Sequence, residues 1–188
     1  KNLKLESKNK NDNQVKKIRS WVEKGNTIIS IGSGSKLLID KKLVSEELVN
    51  NEKSDTIHHL PYGDSSENRG KEQIGGVILN TQIDLTHPLA FGYENNSLPV
   101  YKNNSVWLSP SKNEYSSVVR YSKDALIDGF MTENNKGKLE KSVSLVVSKV
   151  GRGIAILFAD NPNFRGSWYG TNRLFLNAIF LRNQIYVP

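Results

Sequence analysis

Thr27-Ile28-Ile29-Ser30-Ile31-Gly32-Ser33-Gly34-Ser35-Lys36-Leu37-Leu38 is the stretch on which the fold turns. Its opening run is β-branched but for one serine and too short for a helix, so it reads as a buried strand. Gly32 and Gly34 then let the backbone turn sharply, and Lys36-Leu37-Leu38 resumes with good helix formers. A strand, a tight turn and a helix start in so few residues place the chain in the α/β class.

Working outward, Asn11 or Asp12 is placed to cap a preceding helix whose apolar residues Val15, Ile18, Trp21 and Val22 fall on one stripe, with Gly25 as its stop. Residues 50–76 turn polar and glycine-rich and read as an exposed connection with a short helical piece. Strand-like segments follow at 77–82, 100–101, 106–108 and 118–121. Residues 142–150 and 154–158, joined through Gly151-Arg152-Gly153, read as a β-hairpin whose return strand is fully buried. After the Asn- and Gly-rich loop 160–170, Thr171 is expected to cap a last helix that sets Leu174, Phe175, Ala178 and Ile179 against the sheet.

The 188 residues are enough for one core, and 37% hydrophobic with 24% charged residues is globular composition. No apolar run approaches the roughly 20 residues that cross a bilayer, so we expect no membrane span and no signal peptide in this chain. The absence of cysteine excludes disulfides, thiolate zinc sites and cysteine nucleophiles. The net charge of +7 is concentrated at the start, where residues 1–24 hold eight Lys or Arg against three acids. Nucleic-acid binders spread their cations over a face and interleave aromatics, so this basic tip reads as a solvated helix and no nucleic-acid partner is expected.

A turn at the end of a strand is also where hydrolases and amidotransferases mount a nucleophile, because it exposes the side chain and aims helix N–H groups at an oxyanion. In an elbow ending at Gly34, the nucleophile position is Gly32, which has no side chain. Ser33 and Ser35 remain as substitutes, with His58, His59 and His87 the available bases, and Ser33–His87–Asp160 is the triad they would form. The competing reading is structural: the glycines turn the backbone, Ser33 or Ser35 caps the helix, and His87 beside Pro88 bonds a nearby backbone group. His58 and His59 are adjacent and lack zinc-ligand spacing, so no metal is expected. Asp160, Asn161, Arg165 and Trp168 crowd polar and aromatic groups after a buried strand. With Ser33, Ser35 and His87 they are the ligand-binding candidates for a peptide or glycan. Trp107, Trp168 and Tyr169 would be the stacking residues of a carbohydrate-binding module.

Three segments, IISIGSGSKLL (28–38), TQIDLTHPLAFGY (81–93) and KVGRGIAILFADNPNFRGSWYGTNRLFLNAIF (149–180), in their order, resemble the C-terminal class I glutamine amidotransferase-like domain of bacterial zinc carboxypeptidase (peptidase M14)-like proteins. The resemblance implies a flavodoxin-like three-layer α/β sandwich with a β-hairpin near its C-terminus. It implies one amidotransferase-like domain over 1–188, a C-terminal fragment of a longer peptidase whose first strands would lie upstream of residue 1. It further implies zinc in that upstream domain, none here, a cis partnership with it, and an extracellular or periplasmic location. True members of that class carry a cysteine at the elbow and a His–Glu pair after a late strand. Here Gly32 stands at the first place and Ala159, Asp160 and Asn161 around the second, so the resemblance implies a scaffold without glutaminase chemistry.

Overall fold

The computed structural model describes the backbone of residues 2–49, 59 and 61–188, and side chains from residue 13 onward within these. In chain order the helices are α1 (Asn2–Glu23), α2 (Ser33–Asp40), α3 (Ser65–Glu72), α4 (Glu133–Glu140) and α5 (Tyr169–Phe180). The strands are β1 (Thr27–Ile31), β2 (Val77–Ile83), β3 (Ser97–Lys102), β4 (Ser117–Gly129), β5 (Val143–Val150) and β6 (Gly153–Phe158).

They form one mixed sheet in the order β1-β6-β5-β4-β2-β3. Only β1 and β6 run parallel, with Ile31 opposite Phe158, and every other pairing is antiparallel. Register shifts in β4 against both β2 and β5 curl the sheet. The parallel pair requires a crossover, and the sequence supplies it in α2 and everything up to β5.

Helices cover both faces. On one, Val22 of α1 and Leu38 of α2 pack with Val146, Ala155 and Leu157; on the other, Leu174 and Ala178 of α5 pack with Leu145, Val147 and Ile156. Alternate residues of β5 and β6 thus feed opposite cores, which is why both strands are buried nearly throughout. The hairpin turn tucks under the end of α1: Arg152 N–H donates to Glu23 O and Ile154 N–H to Asn26 O. Any Cβ at Gly153 would run into the carbonyls of Val22 and Asn26, so glycine is required there.

Several expectations shift by a turn or a face. α1 runs from Asn2, which puts Asn11 and Asp12 inside it and not at its cap. Of its stripe Val22 is fully buried, whereas Ile18 and Trp21 are exposed. Residues 106–108 form no strand; Leu108 alone makes two isolated bridges, to Leu48 and to Val143. α5 begins at Tyr169, so Thr171 lies within it, its hydroxyl donating to Pro162 O, and Ile179 faces solvent. The short helical piece in the polar connection is α3, while residues 50–58, with His58, lie outside the described residues. Among the described residues no helix is long and apolar enough to cross a membrane.

Candidate functional site

The bend after β1 carries the backbone of Gly32 at φ 54° and ψ −118°, a conformation that only glycine adopts without strain. Its N–H donates to Phe158 O at 2.8 Å, which ties the bend to the end of β6. A Cβ built there would meet Asn104 Nδ2 at 3.8 Å and Ala159 O at 4.0 Å, so there is room for a side chain and the constraint lies in the backbone alone.

Neither flanking serine caps α2. Ser33 is exposed at its first position. Ser35 is fully buried, donates to Phe158 O at 2.8 Å and shares a 2.9 Å hydrogen bond with Ser30 Oγ, so it staples α2 to the sheet. The expected helix cap is corrected accordingly: α2 begins on Gly32 with no side-chain acceptor.

Beside the bend lies a buried polar cluster. Lys102, at the end of β3, is 0% exposed. Its three ammonium hydrogens go to Val106 O (2.7 Å), Asp160 Oδ1 (3.1 Å) and Asn104 Oδ1 (3.4 Å), and Trp107 presents its ring 4.5 Å away. Asp160 Oδ2 accepts from Tyr121 (2.7 Å) and Ser144 (2.6 Å). Burial pulls the Lys102 ammonium below its ordinary range against the attraction of Asp160. Burial, reinforced by the Asp160 charge, pushes the Tyr121 phenol well above its own; the residue is partly exposed, but its oxygen is inside.

Asn104 joins the two places. Its amide donates to Ala159 O at 3.0 Å while its carbonyl takes Lys102 and Val106 N–H, so the group facing the empty elbow position is a committed amide. The arrangement holds charge and hydrogen bonds in fixed positions; among the described residues it leaves no free base beside the bend.

The remaining candidates lie apart. His87 Nδ1 accepts from Leu89 N–H at 3.1 Å, and burial pulls its imidazole below the ordinary range although Asp84 opposes this. Leu89 and Ala90, next to it, belong to the core under α5, whereas α2 with Ser33 packs on the other face. No hydrogen bond among the described residues joins His87 to Ser33 or to Asp160. The triad Ser33–His87–Asp160 is therefore not assembled, since both Asp160 oxygens serve the cluster and the histidine serves a turn.

In the loop after β6, Asn161 Oδ1 accepts from Asn163 N–H, Arg165 lies over the Phe164 ring, and Trp168 Nε1 donates to Pro99 O at 3.2 Å. Tyr101 stacks on Phe164 with centroids 3.7 Å apart. These contacts seal the loop onto β3. Trp107 is only 6% exposed and packs beneath Lys102, so it is unavailable to stack on a sugar, and Tyr169 stands exposed away from it. His59 is exposed. Among the described residues no group of three or more His, Asp or Glu side chains gathers as metal ligands.

Lys102, Asn104, Tyr121 and Ser144 escaped the sequence reading. A signal existed: Leu98, Val100 and Lys102 alternate on one side of β3, which places a lysine at a buried register position where a counter-charge is required.

No family model matches this chain, and no curated protein matches it. Among solved structures it is similar to PurLQS from Thermotoga maritima, at 15% identity and a TM-score of 0.50 over 88% of this chain. The chain spans 66% of the length of that one. The likeness concerns the fold, a mixed α/β architecture around the six-stranded sheet.

Proposed function

We propose that this chain is a non-catalytic accessory or binding domain, built on a class I amidotransferase-like, flavodoxin-like three-layer scaffold whose elbow has lost its nucleophile. The observation that carries the reading is Gly32: a backbone held at φ 54° at the end of a strand, with space for a side chain, supplied with none. The backbone N–H groups that remain at such a turn stabilise an oxyanion but cannot begin acyl transfer.

What supports the rest is the motif order quoted above, from which the chain reads as the C-terminal partner in cis of a zinc carboxypeptidase-like domain. The metal and the peptidase chemistry would then belong upstream, outside the cytoplasm, and this domain would orient or extend that enzyme.

The test is to purify this chain and assay peptidase, glutaminase and esterase turnover with and without zinc. No turnover is expected. Turnover abolished by Ser33→Ala or His87→Ala would overturn the reading and restore a serine hydrolase.

A further inference from the structure

Where β4 begins it covers only part of β5. Val147 N–H still reaches Ser116 O, but Ser148, Lys149 and Val150 pair with β6 alone. A cavity of about 420 Å³ opens beside this notch, within the size range of small-molecule sites. It lies toward the end of β6 opposite the Gly32 bend, so nothing about it depends on the elbow.

Four charged side chains line it, and two neutralise each other: Lys112 pairs with Glu47 at 2.7 Å. Neither of the other two, Glu46 and the exposed Lys149, is in a direct ion pair among the described residues. Glu46 accepts from Ser111 Oγ at 3.2 Å, and Lys149 donates to Val187 O at 3.3 Å, with the Tyr186 ring 5.5 Å from its ammonium. Burial holds the Glu46 carboxyl above its ordinary range; the Ser148 and Ser111 hydroxyls and Lys112 oppose this, and Glu47 adds to it. A third observation is independent of charge. Ser116, 2% exposed, lines the same cavity, and its Oγ is buried without a hydrogen-bond partner, which is costly unless something enters to bond it.

We propose that this notch binds a small zwitterion of amino-acid to dipeptide size, its ammonium on Glu46, its carboxylate on Lys149, and Ser116 Oγ taking a remaining hydrogen bond. A carboxylate and an ammonium lining one cavity, neither held in a direct ion pair, select this class. A bare anion such as phosphate would face Glu46, and a bare amine or metal cation would face Lys149; only a ligand carrying both charges satisfies the two together.

The probe is L-alanyl-L-alanine titrated calorimetrically into the full chain, beside its N-acetyl and its C-terminal amide forms. Saturable binding of the dipeptide is expected, with each blocked form weakened about tenfold or more because it leaves one of the two charges without its partner. Glu46→Gln should weaken the free dipeptide to the level of the N-acetyl form and leave the N-acetyl form unchanged. Three results would overturn the proposal: no saturable heat up to about 10 mM, blocked forms binding as well as the free one, or Glu46→Gln binding like the unaltered chain with its circular dichroism intact. The blocked ligands act on the unaltered protein, so the outcome does not depend on the variant folding.

Discussion

At Gly32 the chain bends through a geometry that only glycine adopts without strain and presents only a hydrogen atom; one Asn104 side chain away, Lys102, Asp160, Tyr121 and Ser144 close upon one another. The first region has the geometry of a reactive centre without the atoms, and the second has the atoms without access. Catalysis needs both in one place, a polar group left over and a route to it. The difference shows that a sharp strand-end turn and a set of ionisable groups can lie side by side without forming a reactive centre.

The sharpest way to break that contrast is at Asp160. Asp160→Ala would strand the Lys102 ammonium in the interior, and urea unfolding should show a loss of about 3–5 kcal/mol. Replacing Lys102 by Met together with Asp160 by Asn should cost less than Asp160→Ala alone, because no buried charge is then left without a partner. A single-site loss no larger than that of an ordinary surface change would mean that the cluster is open to water.

At Gly32 the expected cost is smaller and of another kind. Gly32→Ala should destabilise by about 1–3 kcal/mol through the backbone alone. Since the nearest atom to an added Cβ is at 3.8 Å, Gly32→Ser should cost about the same as Gly32→Ala. A large difference between the two would point to packing, not backbone conformation, as the constraint.

These two regions also divide what the sequence could reveal. The β-branched run and the glycines gave the strand, turn and helix at 27–40 because local propensity and tertiary need agree there. The hairpin and its buried return strand were legible for the same reason. The cluster was not, since its members come from β3, β4, β5 and the loop after β6, and only the sheet order brings them together. Asp160 alone was noticed, as one of several polar residues in a loop and as the acid of a Ser33–His87–Asp160 triad, and its partner Lys102 was passed over. His87 was readable as a turn residue from the following proline, and its bond to Leu89 N–H bears that out. α1 ran past its expected cap at Asn11 or Asp12 because such residues also sit within helices when no competing turn claims them.

The smallest expected effect belongs to His87, the histidine that a catalytic reading would need. Its folded value lies below the unfolded one, so between the two the unfolded chain binds more protons and stability rises with pH. The contribution is present above about pH 6.5 and is lost as the pH falls, because protonation removes the lone pair that takes Leu89 N–H. Unfolding free energies compared across this range should show that slope reduced in His87→Asn, which retains an acceptor but does not titrate. An unchanged slope would place the acid sensitivity elsewhere.

The most direct test of the vacant elbow is chemical labelling. The purified chain, treated with a fluorophosphonate that captures activated serines, should show no adduct by intact-mass spectrometry, since among the described residues no base bonds Ser33, and Ser35 is buried. An adduct on Ser33 that disappears when His87 is replaced by alanine would contradict the account.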